Sequence, residues 1–286
     1  MLADSHMHTA VFSSDASQTP EELIKSAKAL GIKHVSVTEH FDMDYPHKDE
    51  CFVFDLEEYG KVFPSWRSLS EKTGGPELNM GIEIGWQPHL NDRIIGTVNA
   101  LPFDNVLLSA HVFRGSEIFY STECPLIPRK ERNKEYISLL ARMARELDCY
   151  DIIAHYDYIN RYIEDKESAV FYNDCPDEFD ELFDVLIKKD KALEINTSSI
   201  DKQIVKGSSY IMPDPDIIRR YISMGGRLIT IGSDAHKSDR IGLHFEKTAK
   251  YLKSLGVSEV FYYKNRQPVS DPGYSEYFDI SLKAKA

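Results

Sequence analysis

The sequence predicts an α/β fold in which parallel strands close, or nearly close, into a barrel with a metal site at the C-terminal mouth of the strands. Three observations predict it. Apolar strand-like runs alternate with helical patterns from end to end. Nine His, Asp and Glu residues, His6, His8, Asp15, His40, Glu83, His111, His155, Asp234 and His236, stand at or just beyond the ends of those runs. They come from at least six strand ends. Side chains from so many strands meet most readily at a barrel mouth, because the outer strands of an open sheet lie too far apart.

Leu2 to Met7 reads as the first strand. Thr19-Pro20-Glu21-Glu22 then opens a helix with a capping-box pattern and proline at its first position, and that helix ends near Gly31. A β-branched run from Lys33 to Thr38 is the second strand, ending at Glu39-His40, and helical patterns follow around Asp55 to Lys72. Leu78 to Gly85 is the third strand. Val106 to Ala110 ends at His111 and Ile152 to Ala154 ends at His155, with helical stretches around Glu131 to Leu147 and Pro176 to Lys189 after them. Ala192 to Asn196, Arg227 to Gly232 and Val260 to Tyr263 complete the strands, with helices near Pro215 to Met224 and His244 to Leu255. No internal repeat or low-complexity segment stands out.

The 286 residues carry no linker, so one domain spanning 1–286 is expected, long enough to bury a substantial core. No apolar run approaches the length of a membrane span. The N-terminus enters a strand rather than a secretory signal, which predicts a cytoplasmic location. Cys51, Cys124, Cys149 and Cys175 are far apart and read as reduced bystanders. A net charge of -12 argues against long nucleic acid as a partner, since phosphate backbones are bound by basic surfaces. Three divalent cations would nevertheless outweigh the carboxylates of Asp15, Glu83 and Asp234 locally and draw in a small phosphate ester. Oligomeric state is not legible.

Imidazole and carboxylate at one focus are the ligand chemistry of zinc, manganese or iron. Residues two apart on a strand share a side, so His6 and His8 can reach one metal. Asp234 and His236 can do the same if strand geometry persists past Ser233. His34, His47, His89 and His244 lack such a setting and read as ordinary.

These residues resemble the polymerase and histidinol phosphatase (PHP) superfamily of metal-dependent phosphoesterases. The resemblance is carried by Asp4 to Thr9 with Asp15, Thr38-Glu39-His40, Gly81-Ile82-Glu83, Ser109-Ala110-His111, Ala154-His155-Tyr156-Asp157 and Ser233-Asp234-Ala235-His236, in order. It covers the chain to about residue 240 and implies a distorted TIM-like (β/α)7 barrel holding up to three divalent ions. By length, and by Phe261 to Val269, the chain is most similar to the stand-alone histidinol-phosphate phosphatases of that superfamily. The implied reaction is hydrolysis of L-histidinol phosphate in histidine biosynthesis; the alternative is a nucleotide or oligonucleotide phosphoesterase. An amidohydrolase would need a bridging lysine on a mid-chain strand, and none is placed there.

The resemblance implies that His6, His8, Glu83 and Asp234 hold a first metal, that Glu83 bridges to a second held by His111 and His155, and that Asp15, His40 and His236 hold a third. Glu83, Asp234 and His236 carry catalytic roles in that reading, with a hydroxide between the first two metals as nucleophile. A phosphate monoester also needs a cationic clamp, for which Arg161 and Arg114 are the candidates. A carboxylate should face the substrate ammonium, and Asp42 and Glu117 are the candidates. The segments 41–54, 113–129 and 198–215 read as long mouth loops, and Asp157 is one open choice for protonating the leaving group.

Overall fold

Helices and strands alternate because each apolar run is short and each amphipathic run has a face to bury. The computed structural model describes residues 3–47 and 52–274, so Leu2 and Cys51 lie outside the described residues. β1 (Ala3–Met7) leads to α1 (Pro20–Ala29), β2 (His34–Phe41), α2 (Leu56–Thr73), β3 (Glu77–Gly85), α3 (Asn91–Ala100) and β4 (Asn105–Ser109). A small antiparallel ribbon, β5 (Val112–Phe113) and β6 (Ser116–Glu117), precedes α4 (Arg129–Glu146), β7 (Ile152–Ile153), α5 (Pro176–Lys188) and β8 (Ala192–Asn196). Then come α6 (Thr197–Val205), α7 (Pro215–Ser223), β9 (Ile229–Gly232), α8 (Phe245–Ser254), β10 (Phe261–Lys264) and β11 (Gln267–Ser270).

The sheet runs β1-β2-β3-β4-β7-β8-β9-β10-β11, with parallel pairing from β1 through β9. These seven parallel strands curl into a distorted TIM-like barrel. Its seam is closed by single contacts rather than by a ladder. Met7 bridges Ala235 in the parallel sense, the His8 amide donates to the Ala235 carbonyl at 3.0 Å, and the Asp234 amide donates to the His6 carbonyl at 2.8 Å. The Gln18 side-chain amide donates to the carbonyls of both His8 and Ala235, pinning the seam from the side.

The Thr19 capping box forms as predicted: the Glu22 amide donates to the Thr19 hydroxyl and the Thr19 amide to the Glu22 carboxylate. Such a cap contributes about 1 kcal/mol. Inside the barrel, register puts Glu83 beside Leu107 and Leu107 beside Ile152, on one face of the sheet. Leu107, Ile152, Ala154, Ala192 and Tyr263 form a buried cluster on that face and floor the site with apolar atoms. The helices pack outside, where Tyr136, Ile137 and Leu140 of α4 meet the core that Phe179, Leu182 and Phe183 of α5 also join.

Two helices depart from the sequence reading. α3 has poor helix formers but buries Ile94, Thr97 and Val98, so packing outweighs propensity. α6 occupies the first part of the segment 198–215 read as a loop, and the Asn196 side chain caps it by accepting from the Ser198 amide at 3.0 Å. Among the described residues no helix is long and apolar enough to cross a membrane.

Candidate metal centre

His6 and His8 flank the buried Met7 at the end of β1, and alternation sends both rings to the same side. Their Nε2 atoms are 3.1 Å apart. Glu83 Oε2 lies 3.2 Å from His6 Nε2 and 3.4 Å from His8 Nε2, and Asp234 Oδ1 lies 3.6 and 3.3 Å from the same two atoms. A tetrahedral zinc ion with bonds of about 2.0–2.1 Å has ligand-to-ligand edges of about 3.3–3.4 Å. The donor set fits such an ion in chemistry and in spacing.

The other oxygen of Glu83 faces a second cluster. Glu83 Oε1 is 2.7 Å from His155 Nε2 and 3.2 Å from His111 Nε2, and those two nitrogens are 3.4 Å apart. Glu83 therefore presents one oxygen to each cluster, the arrangement of a bridging carboxylate. A third group lies beside the first: His40 Nε2 and His236 Nε2 are 3.2 Å apart, with Asp15 Oδ2 at 3.6 and 3.1 Å from them. All nine predicted side chains thus converge on one mouth.

Their grouping corrects one expectation. β9 ends at Gly232, and Asp234 takes a left-handed backbone with φ of +53°, so strand alternation does not persist past Ser233. Asp234 turns to His6 and His8, while His236 turns to Asp15 and His40.

Outer carboxylates orient the rings, a device that fixes which nitrogen keeps its lone pair. Glu194 Oε1 sits 2.8 Å from His6 Nδ1, and its other oxygen accepts the His155 amide at 2.7 Å. Glycine makes room for it: a Cβ on Gly232 would come within 2.3 Å of Glu194 Oε1. Asp42 Oδ1 likewise sits 2.7 Å from His111 Nδ1, and a Cβ on Gly85 would fall 1.9 Å from that oxygen. His236 Nδ1 faces the Asp234 carbonyl at 2.9 Å. Glu194 is absent from the sequence reading. Its signal was present, because Glu194 and Asn196 alternate with Leu193 and Ile195 on a strand that is buried throughout.

Charge follows the clustering. Burial alone would lower His6 and His40, but the carboxylates around them outweigh it and hold both well above the usual imidazole range. His111 is similarly carried, against burial, up to about 10 by Asp42 and Glu83. Glu83 and Asp234 resist the upward push of burial and are held well below the usual carboxylate range by the facing imidazoles, joined at Asp234 by Arg161. In the metal-free site these imidazoles therefore keep their protons near neutral pH, and a cation must expel them. The sign is that metal affinity rises with pH. Between pH 6 and 8 the logarithm of the affinity is expected to increase by about one per pH unit for each proton displaced. Chelator competition at several pH values measures this slope; a flat profile would mean that the imidazoles are not the ligands.

A cavity of about 210 Å³ opens above the clusters, lined in part by Asp42, Phe52, Glu117, Tyr158, Arg161 and Tyr162. Arg161 is buried and donates to Asp234 Oδ2 at 2.7 Å, Asn196 Oδ1 at 3.1 Å and Ser199 Oγ at 3.2 Å. Its Nε–H has no partner. Glu117 lines the cavity and accepts the Tyr158 hydroxyl at 2.9 Å; burial pushes its carboxyl up. Asp42 also lines the cavity, but it is engaged with His111 rather than left open for a substrate ammonium. Arg114 is a correction. It sits at the turn of the β5–β6 ribbon and points outward, donating to Glu131 and Glu135 on α4 away from the cavity. Asp157 accepts the Ser199 hydroxyl at 2.8 Å and is pushed up by burial.

The PHP domain model matches residues 4–198. The chain is 34% identical over 266 residues to a Clostridium acetobutylicum protein named probable histidinol-phosphatase, covering 92% of this chain and 98% of that one. It is 28% identical over 258 residues to the histidinol-phosphatase of Lactococcus lactis, covering 90% and 92%. A crystal structure of histidinol phosphate phosphatase from Lactococcus lactis, in complex with zinc, L-histidinol and phosphate, superposes with a TM-score of 0.82 at 26% identity, over 93% of this chain and 98% of that one.

Proposed function

The chain belongs to the PHP domain family, and from that premise we propose that it is a histidinol-phosphatase, hydrolysing L-histidinol phosphate to L-histidinol and phosphate in histidine biosynthesis. We read residues 1–286 as one such domain acting in the cytoplasm. The observation that carries the reading is Glu83, whose two oxygens face two separate imidazole clusters beneath a cavity that holds a buried arginine and a buried carboxylate.

In this reading His6, His8, Glu83 and Asp234 hold a first divalent ion, Glu83, His111 and His155 a second, and Asp15, His40 and His236 a third. Such ions, when bound, make water acidic enough to supply hydroxide near neutral pH and neutralise phosphoryl oxygens. The protein supplies the rest. Glu194 and Asp42 keep the His6 and His111 lone pairs aimed inward. Arg161, already fixed by three acceptors, brings a guanidinium to the phosphate end without losing further side-chain freedom. The apolar floor below Glu83 excludes water from the far side.

Glu117 is the group suited to the substrate ammonium. Glu117→Gln is expected to raise KM for L-histidinol phosphate about tenfold, the loss of one charge-assisted contact. It should leave p-nitrophenyl phosphate, which has no ammonium, unchanged. Steady-state kinetics on both esters measure the difference; equal losses on the two would remove Glu117 from substrate recognition.

The function itself is tested by phosphate release from L-histidinol phosphate, a nucleoside monophosphate and a short oligonucleotide, using protein reconstituted with zinc or manganese. A large preference for L-histidinol phosphate is expected. Activity on the nucleotides alone would leave the metal centre standing and overturn the substrate.

A further inference from the structure

The loop that carries Asp15 is fastened by one buried carboxylate. Glu39, on β2 and fully buried, accepts the Thr9 hydroxyl through Oε1 at 2.5 Å. Through Oε2 it accepts the Thr9 amide at 3.0 Å and the Ser13 hydroxyl at 2.6 Å. A serine hydroxyl has one proton, and here Glu39 takes it. The Ser13 oxygen is then left to accept from its other two neighbours, the His40 amide at 3.1 Å and His8 Nδ1 at 3.4 Å. An imidazole that donates from Nδ1 keeps its lone pair on Nε2. Nε2 is the His8 atom that faces Glu83 and Asp234.

We propose that Glu39 is a positioning residue which, through Ser13, sets the direction of a proton chain, so that His8 presents a bare Nε2 while the Thr9–Asp15 loop holds Asp15 against His40 and His236. The proposal rests on the metal reading above. An amide at position 39 fails in either orientation. With its amino group toward Ser13, it turns the Ser13 hydroxyl onto His8 Nδ1 and moves the imidazole proton to Nε2, the ligand atom. In that orientation the amino group also meets the Thr9 amide, donor against donor, and in the other the buried Thr9 hydroxyl loses its acceptor at the start of the loop.

The test uses the full chain as wild type, Glu39→Gln, Ser13→Ala and Ser13→Thr. Ions per chain and zinc affinity are measured by mass spectrometry and chelator competition at pH 8, and the His8 tautomer by nitrogen NMR of the metal-free protein. Glu39→Gln is expected to weaken zinc binding 10- to 100-fold, the range for losing an outer partner of a metal ligand. It should also move His8 from the Nδ1–H to the Nε2–H tautomer. Ser13→Thr, which keeps the hydroxyl, should behave as wild type. Ser13→Ala removes a single oxygen and decides the point if Glu39→Gln fails to fold: weaker zinc binding with less Nδ1–H tautomer supports the proposal. Wild-type affinity in either broken variant, or weakened binding with the His8 tautomer unchanged, would overturn it. If wild type itself bound no metal, the metal reading would fall, and the tautomer measurement would still decide the role of Glu39.

Discussion

Glu83→Gln is expected to lower kcat/KM on L-histidinol phosphate by about a thousandfold or more, equivalent to about 4 kcal/mol of transition-state stabilisation. Glutamine keeps the shape and the burial, so the barrel should still form. What it loses is an acceptor on one of two sides: whichever way the amide turns, its NH2 faces either His6, His8 and His40 or His111 and His155. The Ser109 hydroxyl, which donates to Glu83 Oε1 at 2.5 Å, favours the oxygen on the His111 side. The first cluster should therefore empty. Metal analysis of the purified variant should find fewer ions per chain beside an unchanged far-ultraviolet circular dichroism spectrum. A variant that retained its ions and turned over near the wild-type rate would remove Glu83 from the centre.

The second large effect belongs to Arg161. Arg161→Met is expected to reduce kcat/KM about a hundredfold or more while leaving the metal content in place, since none of its contacts is to an imidazole. The same change leaves the buried Asp234 carboxylate without its arginine partner. Breaking such a buried pair typically costs about 3–5 kcal/mol. In the metal-stripped protein stability should consequently fall, and added metal should restore stability but not activity. Urea titrations with and without zinc, run beside kinetics, separate the two. Full recovery of activity on metal addition would make Arg161 a support for Asp234 alone.

Much of this centre was legible because metal-binding side chains are few in kind and strand ends are where a barrel places them. His6, His40 and Glu83 lie at the mouth-side ends of β1, β2 and β3, and the β2–β3 register sets His40 directly beside Glu83. What escaped the reading depended on backbone turns and on partners distant in sequence. Arg114 follows His111 closely, yet the left-handed turn at Arg114 and Gly115 throws it onto α4. The turn at Asp234 sends residues two apart to different clusters. Asp42 lines the cavity, but its contact is set by the ring it meets across β3, where the absent side chain of Gly85 leaves the space. Glu194 was hidden because a carboxylate in a buried strand looks like an exception until its imidazole is found 188 positions away.

The seam between β1 and β9 gives the fold a mechanical property. β2, β3 and β4, like β8 and β9, are held by continuous ladders, but here the first and last strands of the ring meet through a few backbone bonds flanked by His6, His8 and Asp234. Of the four backbone atoms in the two bonds across the joint, three belong to His6, His8 and Asp234 of the first cluster, so an ion held there would act as a rivet across the joint. Chelation would then loosen the barrel along one line while the opposite wall kept its shape. In an environment poor in such ions, the joint would rest on its hydrogen bonds alone, and the chemistry would be lost while the barrel, weaker along that line, still stood.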